Sequence, residues 1–230
     1  MMFFDPMYML FLAPAVLLAM WAQFRIKSTY ATASQVPARM SGSAAAREIL
    51  DAGGLQDVTI EMIPGQLSDH YDPRAKVLRL SPEVYQGRSA ASVGIAAHEA
   101  GHALQDAHGY ALMTVRNLAV PLANFGSGIG MMMLMAGFML HLTTIAWLGL
   151  ALFGGTAFFQ IVNLPVEFNA SSRAKYQLEA LGIAGPEEMP YVRKVLNAAA
   201  LTYVAATLQA VMQVLYFAMR LMGQSSRDER

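Results

Sequence analysis

No cysteine occurs anywhere in the 230 residues, which removes disulfides and thiolate metal sites together. Any transition metal must then be held by histidine and carboxylate, a donor set that suits catalytic rather than structural zinc. Charge is scarce too: 14% of residues are charged, 16 basic against 16 acidic. Phosphate binding needs a clear basic excess, so this balance argues against a nucleic-acid partner. Neither an internal repeat nor a low-complexity linker is present. What is plentiful is apolar residues, at 55% of the chain. The 17 methionines read as packing and lipid-facing bulk rather than a metal-binding tract.

The apolar residues are concentrated in runs. Residues 117–166 carry no formal charge over fifty positions. One transmembrane helix takes about 20 residues, so this stretch predicts two spans joined near His141, Thr143 and Thr144. Residues 6–24, "PMYMLFLAPAVLLAMWAQF", form another uncharged run. A signal peptide is the rival reading there. It lacks a basic n-region, and its nearest cleavage-like site, Ala31-Thr32-Ala33, falls late, so an uncleaved anchor is expected. A fourth run, 195–219, carries Thr202, Gln209 and Gln213 on one helical stripe, which should face protein or a watery cavity rather than lipid.

Basic residues near the spans set the orientation. Arg25, Lys27 and Arg39 follow the first run, Arg116 precedes the second, and Arg173 and Lys175 follow the third. The positive-inside rule then puts the N-terminus outside and residues 25–117 in the cytoplasm, with the hairpin returning there at Leu164. Arg220, Arg227 and Arg230 oppose translocation of the fourth run's far end, so both spanning and packing against the bundle stay open for it.

Between the first two runs the pattern predicts a small α+β unit. "MSGSAAAREILDAGGL" is a capped, Ala-rich helix stopped by Gly53-Gly54. "DVTIEMI" alternates as a half-buried strand and "VLRL" is a second, with the turn-rich "PGQLSDHYDPRAK" between them. Asp69, His70 and Asp72 in that turn fit a binding loop, although Asx residues before Pro73 also simply make turns. Ser81-Pro82-Glu83 opens a short helix. "SAASVGIAAHEAGHALQDA" then reads as one helix from Ser89 to Ala107.

On that last helix His98 and His102 stand four apart and project from one face, able to hold one ion. Glu99 sits about 100° round the helix, beside the ligand face and free to act as general base on metal-bound water. The bland alternative is a polar cluster on a buried helix, but burying three ionisable groups with no task is costly. A third ligand is needed, and two candidates compete. His108 has the spacing of a local three-histidine motif, but Gln105 stands where that motif needs glycine, and six helical residues turn His108 by about 240°. Glu167, in "NLPVEFNASSRA", lies just after the third run, at what Pro165 marks as a helix start, and on the same predicted side as the histidines.

Taken together, "MSGSAAAREIL", "DHYDPRAKVLRLSPEVY", "AAHEAGHALQ", "PVEFNASSRA" and "VRKVLNAAALTYVAATLQA" resemble the YugP-type membrane-bound neutral zinc metallopeptidases, and more remotely the HtpX-type membrane proteases. The likeness covers nearly the whole chain. It implies a gluzincin-like site with His98, His102 and Glu167 on zinc, Glu99 as general base, and a bacterial cytoplasmic membrane. Where these families carry an aspartate two or four residues after the glutamate, this chain has Asn169 and Ser171. The role of orienting a ligand histidine from behind is thereby open, with Asn169 one candidate. In zincins the strand near the metal helix offers its edge to an extended peptide, and residues 77–80 are the expected edge. Arg173 and Tyr71 are candidates for oxyanion stabilisation.

The expected protein is thus a mostly α integral membrane protein, with transmembrane helices and a small α+β zincin-like metallopeptidase unit. Its parts are an anchor (1–24), a cytoplasmic-facing unit with the HExxH helix (25–117), a membrane hairpin (118–163), a third-ligand helix and loop (164–194), and a C-terminal apolar helix and tail (195–230). The expected activity is zinc-dependent hydrolysis of peptide bonds in membrane or membrane-adjacent proteins at the cytoplasmic face. The partners are then a protein or peptide substrate and the lipid bilayer. A non-catalytic zinc-binding scaffold or assembly factor, or a metallohydrolase of a non-peptide substrate, are the alternatives.

Overall fold

A computed structural model describes residues 5–66 and 68–228, without the side chains of 225–228. Arg230 and the side chain of Arg227, used above for orientation, fall outside that description. The chain is mostly helical: α1 (Pro6–Ala33), α2 (Gly42–Ala52), β1 (Thr59–Met62), β2 (His70–Asp72), β3 (Val77–Leu80), α3 (Pro82–Gln86), α4 (Ala90–Ala107), α5 (Ala111–Phe125), a π-helical turn (Gly126–Gly130), α6 (Met131–Met139), α7 (Thr143–Ala180) and α8 (Met189–Asp228). Four helices among the described residues are long and apolar enough to cross a membrane: α1, the run Ala111–Met139, α7, and α8 as far as Gln224. The fold is therefore that of a helical membrane protein carrying a small sheet. It divides into two compact units.

One unit contains the chain up to Trp21, Thr114–Pro165, and the chain from Thr202 on. Its hairpin closes through missing side chains. A Cβ on Gly149 would stand 2.3 Å from the backbone N of Leu134, and one on Gly137 2.4 Å from that of Ala146. Such small residues let two backbones approach where lipid offers no hydrophobic drive. Tyr216, Phe217, Leu134 and Leu221 pack with Tyr8 and Phe11 in its core. Asp5 accepts from the Tyr216 hydroxyl at 2.7 Å and pairs with Arg220 at 3.2 Å, while Gln213 donates to the Tyr8 hydroxyl. As α1 advances from residue 5 to 8 its partners on α8 retreat, so the two helices run antiparallel there. The charge of Arg220 is met by Asp5, which lowers the cost of carrying it at that end of α8.

The other unit comprises Ala22–Met113 and Val166–Leu201. Its core is Ala-rich and centred on α4, with Ala45, Ala46, Ile49, Ala96, Ala97, Ala100, Ala174 and Leu178 almost fully buried. Ser41 caps α2 by accepting from Ala44 N, and Ser89 caps α4 by accepting from Ser92 N. On the far side of α4, Val166, Ala170, Ala174 and Leu178 of α7 are all 0% exposed, one buried stripe at four-residue spacing. That stripe carries α7 unbroken through Pro165. The expected helix start at Glu167 is therefore absent: packing on both sides of the proline outweighs its lost N–H.

The sheet has the order β1-β3-β2, β1 parallel and β2 antiparallel to β3. The segment read as a turn holds a strand. Asp72 Oδ1 accepts from Arg74 N and Ala75 N, an Asx turn that folds β2 back onto β3. The ion pair Arg79–Asp72, at 2.8 Å, pins it. This corrects the expected substrate edge. Residues 77–80 form the central strand, with both sides paired, and the open edges belong to β1 and β2.

Candidate metal centre

Helix α4 presents His98 and His102 on one face and α7 presents Glu167 opposite, all within the second unit. His98 Nε2 lies 3.2 Å and His102 Nε2 3.6 Å from Glu167 Oε2. The two rings meet edge to face, 4.8 Å between centroids. All three ligand atoms lie within 4.8 Å of one another. A tetrahedral zinc with bonds of about 2.0–2.2 Å sets its ligand atoms about 3.3–3.5 Å apart, so the donor set fits that ion. His102 and Glu167 are 6% and 3% exposed.

This convergence depends on one residue between the histidines. A Cβ on Gly101 would lie 2.6 Å from the carbonyl oxygen of Ala170. The missing side chain lets α4 and α7 approach closely enough for Glu167 to reach both imidazoles. His108 is not brought in. It ends α4 as an exposed C-cap residue, its Nδ1 donating to the Leu104 carbonyl.

Glu99 is buried beside the three donors, 8% exposed. Burial pushes its carboxyl up to about 7; the neighbouring charges of Glu167 and Asp69 add to this, and those of His98 and His70 oppose it. Among the described residues no hydrogen bond or ion pair claims this carboxylate, in contrast to those of Glu167, Asp69 and Asp106.

The groups behind the ligands differ from expectation. Asn169 bonds Gln105 and Arg173, and among the described residues it makes no hydrogen bond to a histidine. Gln105, 0% exposed, faces His102 Nδ1 through Oε1 at 2.9 Å and donates from Nε2 to Val166 O and Asn169 Oδ1. Ser171 Oγ lies 3.1 Å from His98 Nδ1. Gln105 and Ser171 were legible only as spacing, one turn from a histidine and one turn from Glu167. Of the oxyanion candidates, Tyr71 donates its hydroxyl to Asp106 Oδ2 at 2.9 Å, and Arg173 bonds Asn169 Oδ1 through Nε at 2.8 Å. In the expected binding loop Asp69 accepts from Ser81 N and Oγ, and Asp72 makes the turn described above.

A helix bearing His-Glu-x-x-His with a glutamate from a second helix defines a class, the HExxH metallopeptidases. Residues 8–222 match the family described as "Putative neutral zinc metallopeptidase", and the chain belongs to that family. It is 44% identical over 226 residues to "Putative membrane protease YugP" of Bacillus subtilis (strain 168), covering 97% of this chain and 100% of that one. No solved structure matches the chain.

Proposed function

We propose that this peptidase holds zinc with His98, His102 and Glu167 and cleaves peptide bonds in membrane or membrane-adjacent proteins, with Glu99 as general base. The observation that carries the reading is the convergence of three donor atoms beside a buried carboxylate that makes no hydrogen bond or ion pair among the described residues. A structural zinc site has no use for a base in that position. Bound zinc supplies Lewis acidity toward a carbonyl oxygen and toward water. Glu99 takes a proton from the attacking water and returns it to the leaving amine nitrogen. Ser171 and Gln105 fix the two imidazoles, and burial keeps competing solvent from the carboxylates.

The site faces the cytoplasm in this proposal, supported by the basic residues flanking the apolar helices. The membrane is then the cytoplasmic membrane of a bacterium; the Bacillus subtilis relative, named a membrane protease, supports a membrane location. Single cysteines at Ser43 and Ser172, in a chain with none of its own, should both resist an impermeant thiol reagent in intact cells. Labelling of either one defeats that orientation.

The decisive experiment is Glu99→Gln in the purified full-length protein. The variant should keep about one zinc per chain while hydrolysis of an unfolded membrane protein falls by about 100- to 10,000-fold. Cleavage at the wild-type rate would instead favour a zinc-binding scaffold whose apparent hydrolysis comes from a contaminant.

A further inference from the structure

We infer that Gln105 is a positioning residue: its buried amide, locked in one direction, holds His102 in the tautomer with its proton on Nδ1 and so presents a bare Nε2 to the metal before any ion arrives. The inference rests on the metal reading above and deepens it.

The direction of the amide follows from groups that have only one possible role. Arg173 Nε can only donate, and it meets Asn169 Oδ1 at 2.8 Å, so the oxygen of that amide faces inward. Val166 O is a backbone carbonyl and can only accept. Gln105 lies 2.8 Å from Val166 O and 3.0 Å from Asn169 Oδ1 with one end of its amide. That end must be the NH2, and both its hydrogens are used. The other end is then oxygen, an acceptor, 2.9 Å from His102 Nδ1. His102 must supply the hydrogen of that bond, so its neutral ring has the lone pair on Nε2.

The consequence lies across the ring. His102 Nε2 is 3.6 Å from Glu167 Oε2, so in the neutral ring a lone pair and a carboxylate oxygen face each other. A cation between them satisfies both, and no rearrangement of the ring is needed to receive it. Gln105 is 0% exposed, so water does not compete for its oxygen. A carboxylate in its place would hold the same imidazole, yet would turn a second acceptor toward Val166 O and Asn169 Oδ1. The amide is the group that serves both neighbours.

Two measurements test this on the full-length protein in detergent. The first reads the ring 15N shifts of His102 in zinc-free wild type, assigned by comparison with His102→Gln. The expected result is a protonated Nδ1 and an unprotonated Nε2; the opposite tautomer overturns the inference, whatever the variants do. The second titrates zinc into wild type and Gln105→Met, which keeps the length of the side chain but not its acceptor. Affinity should fall by about 10- to 100-fold, the usual cost of losing the partner behind a ligand histidine. In a folded variant, affinity within about three-fold of wild type, against that 10- to 100-fold expectation, overturns the inference and leaves the metal site standing. Wild type that binds no zinc defeats the metal reading itself, while the ring shifts still decide the tautomer.

Discussion

Two buried amides in this chain are treated in opposite ways. Gln105, in the unit built around α4, has both amide hydrogens and its oxygen engaged. Asn163, in the unit of apolar helices, is 5% exposed and its Oδ1 has no partner among the described residues. The units differ in what their polar side chains do. In the unit of apolar helices Thr207 bonds Tyr203 O and Gln160 O and Thr156 bonds Ala123 O, while Asp5, Tyr8, Gln213, Tyr216 and Arg220 pair with one another at one end of α8. Glycine contacts and aromatic rings fill the packing there. In the unit around α4, charged and polar side chains that bond one another between α4 and α7 carry the candidate chemistry. Matched partners are what make burial of the histidine pair and the Glu167 carboxylate tolerable, whereas Glu99, without one, is pushed up toward its neutral form by burial.

The contrast can be broken from either side. The largest effect is expected at the ligand from α7: Glu167→Ala should weaken zinc by more than about 100-fold, because a first ligand costs more than the 10- to 100-fold of a supporting group. His108→Ala in the same titration should keep zinc and activity near wild type, and the reverse result would mean a local three-histidine site. Next, Gly149→Val should destabilise the hairpin by about 1–3 kcal/mol through overpacking, read as a lowered melting temperature in detergent, with about one zinc per folded chain retained. Tyr71→Phe removes the bond to Asp106 that ties β2 to α4; it should cost about 0.5–1.5 kcal/mol of stability and leave zinc affinity unchanged. The smallest effect is expected at Asn163. Replacing this amide, whose Oδ1 has no partner among the described residues, by leucine should leave the melting temperature unchanged or raise it, since an apolar isostere carries no unmet acceptor. A clear fall would show that Asn163 does have a partner in the membrane.

Much of this architecture was legible because it is local. The α4 helix begins where Ser89 predicts it, α2 stops at Gly53, and the hairpin turns at Leu140–Leu142 beside His141. The pair His98 and His102 is fixed by helical periodicity alone. What escaped was decided by distant neighbours. Strand β2 is three residues long, and its Asx turn, the reach of Arg79 and the seat of Tyr71 against the core and Asp106 make it a strand; without it, β3 looked like an edge. Pro165 signals a boundary in isolation, but the stripe from Val166 to Leu178 packs on α4 and keeps the helix going. Gln105 was noticed for the glycine it replaces. Its actual task needed Val166 and Asn169, sixty positions onward and delivered by another helix.

The close approach at Gly101 bears on how such a site travels between proteins. The pentapeptide from His98 to His102 is easily copied into any exposed helix, where it would make two ligands of a tetrahedral set and stop. To transplant the working arrangement, a designer would have to carry two helices and the gap between them, because the third donor is delivered at a separation that a single methyl group at position 101 would exceed. Seen as a part to be moved, the portable object is an interface between helices, and the motif is merely its label.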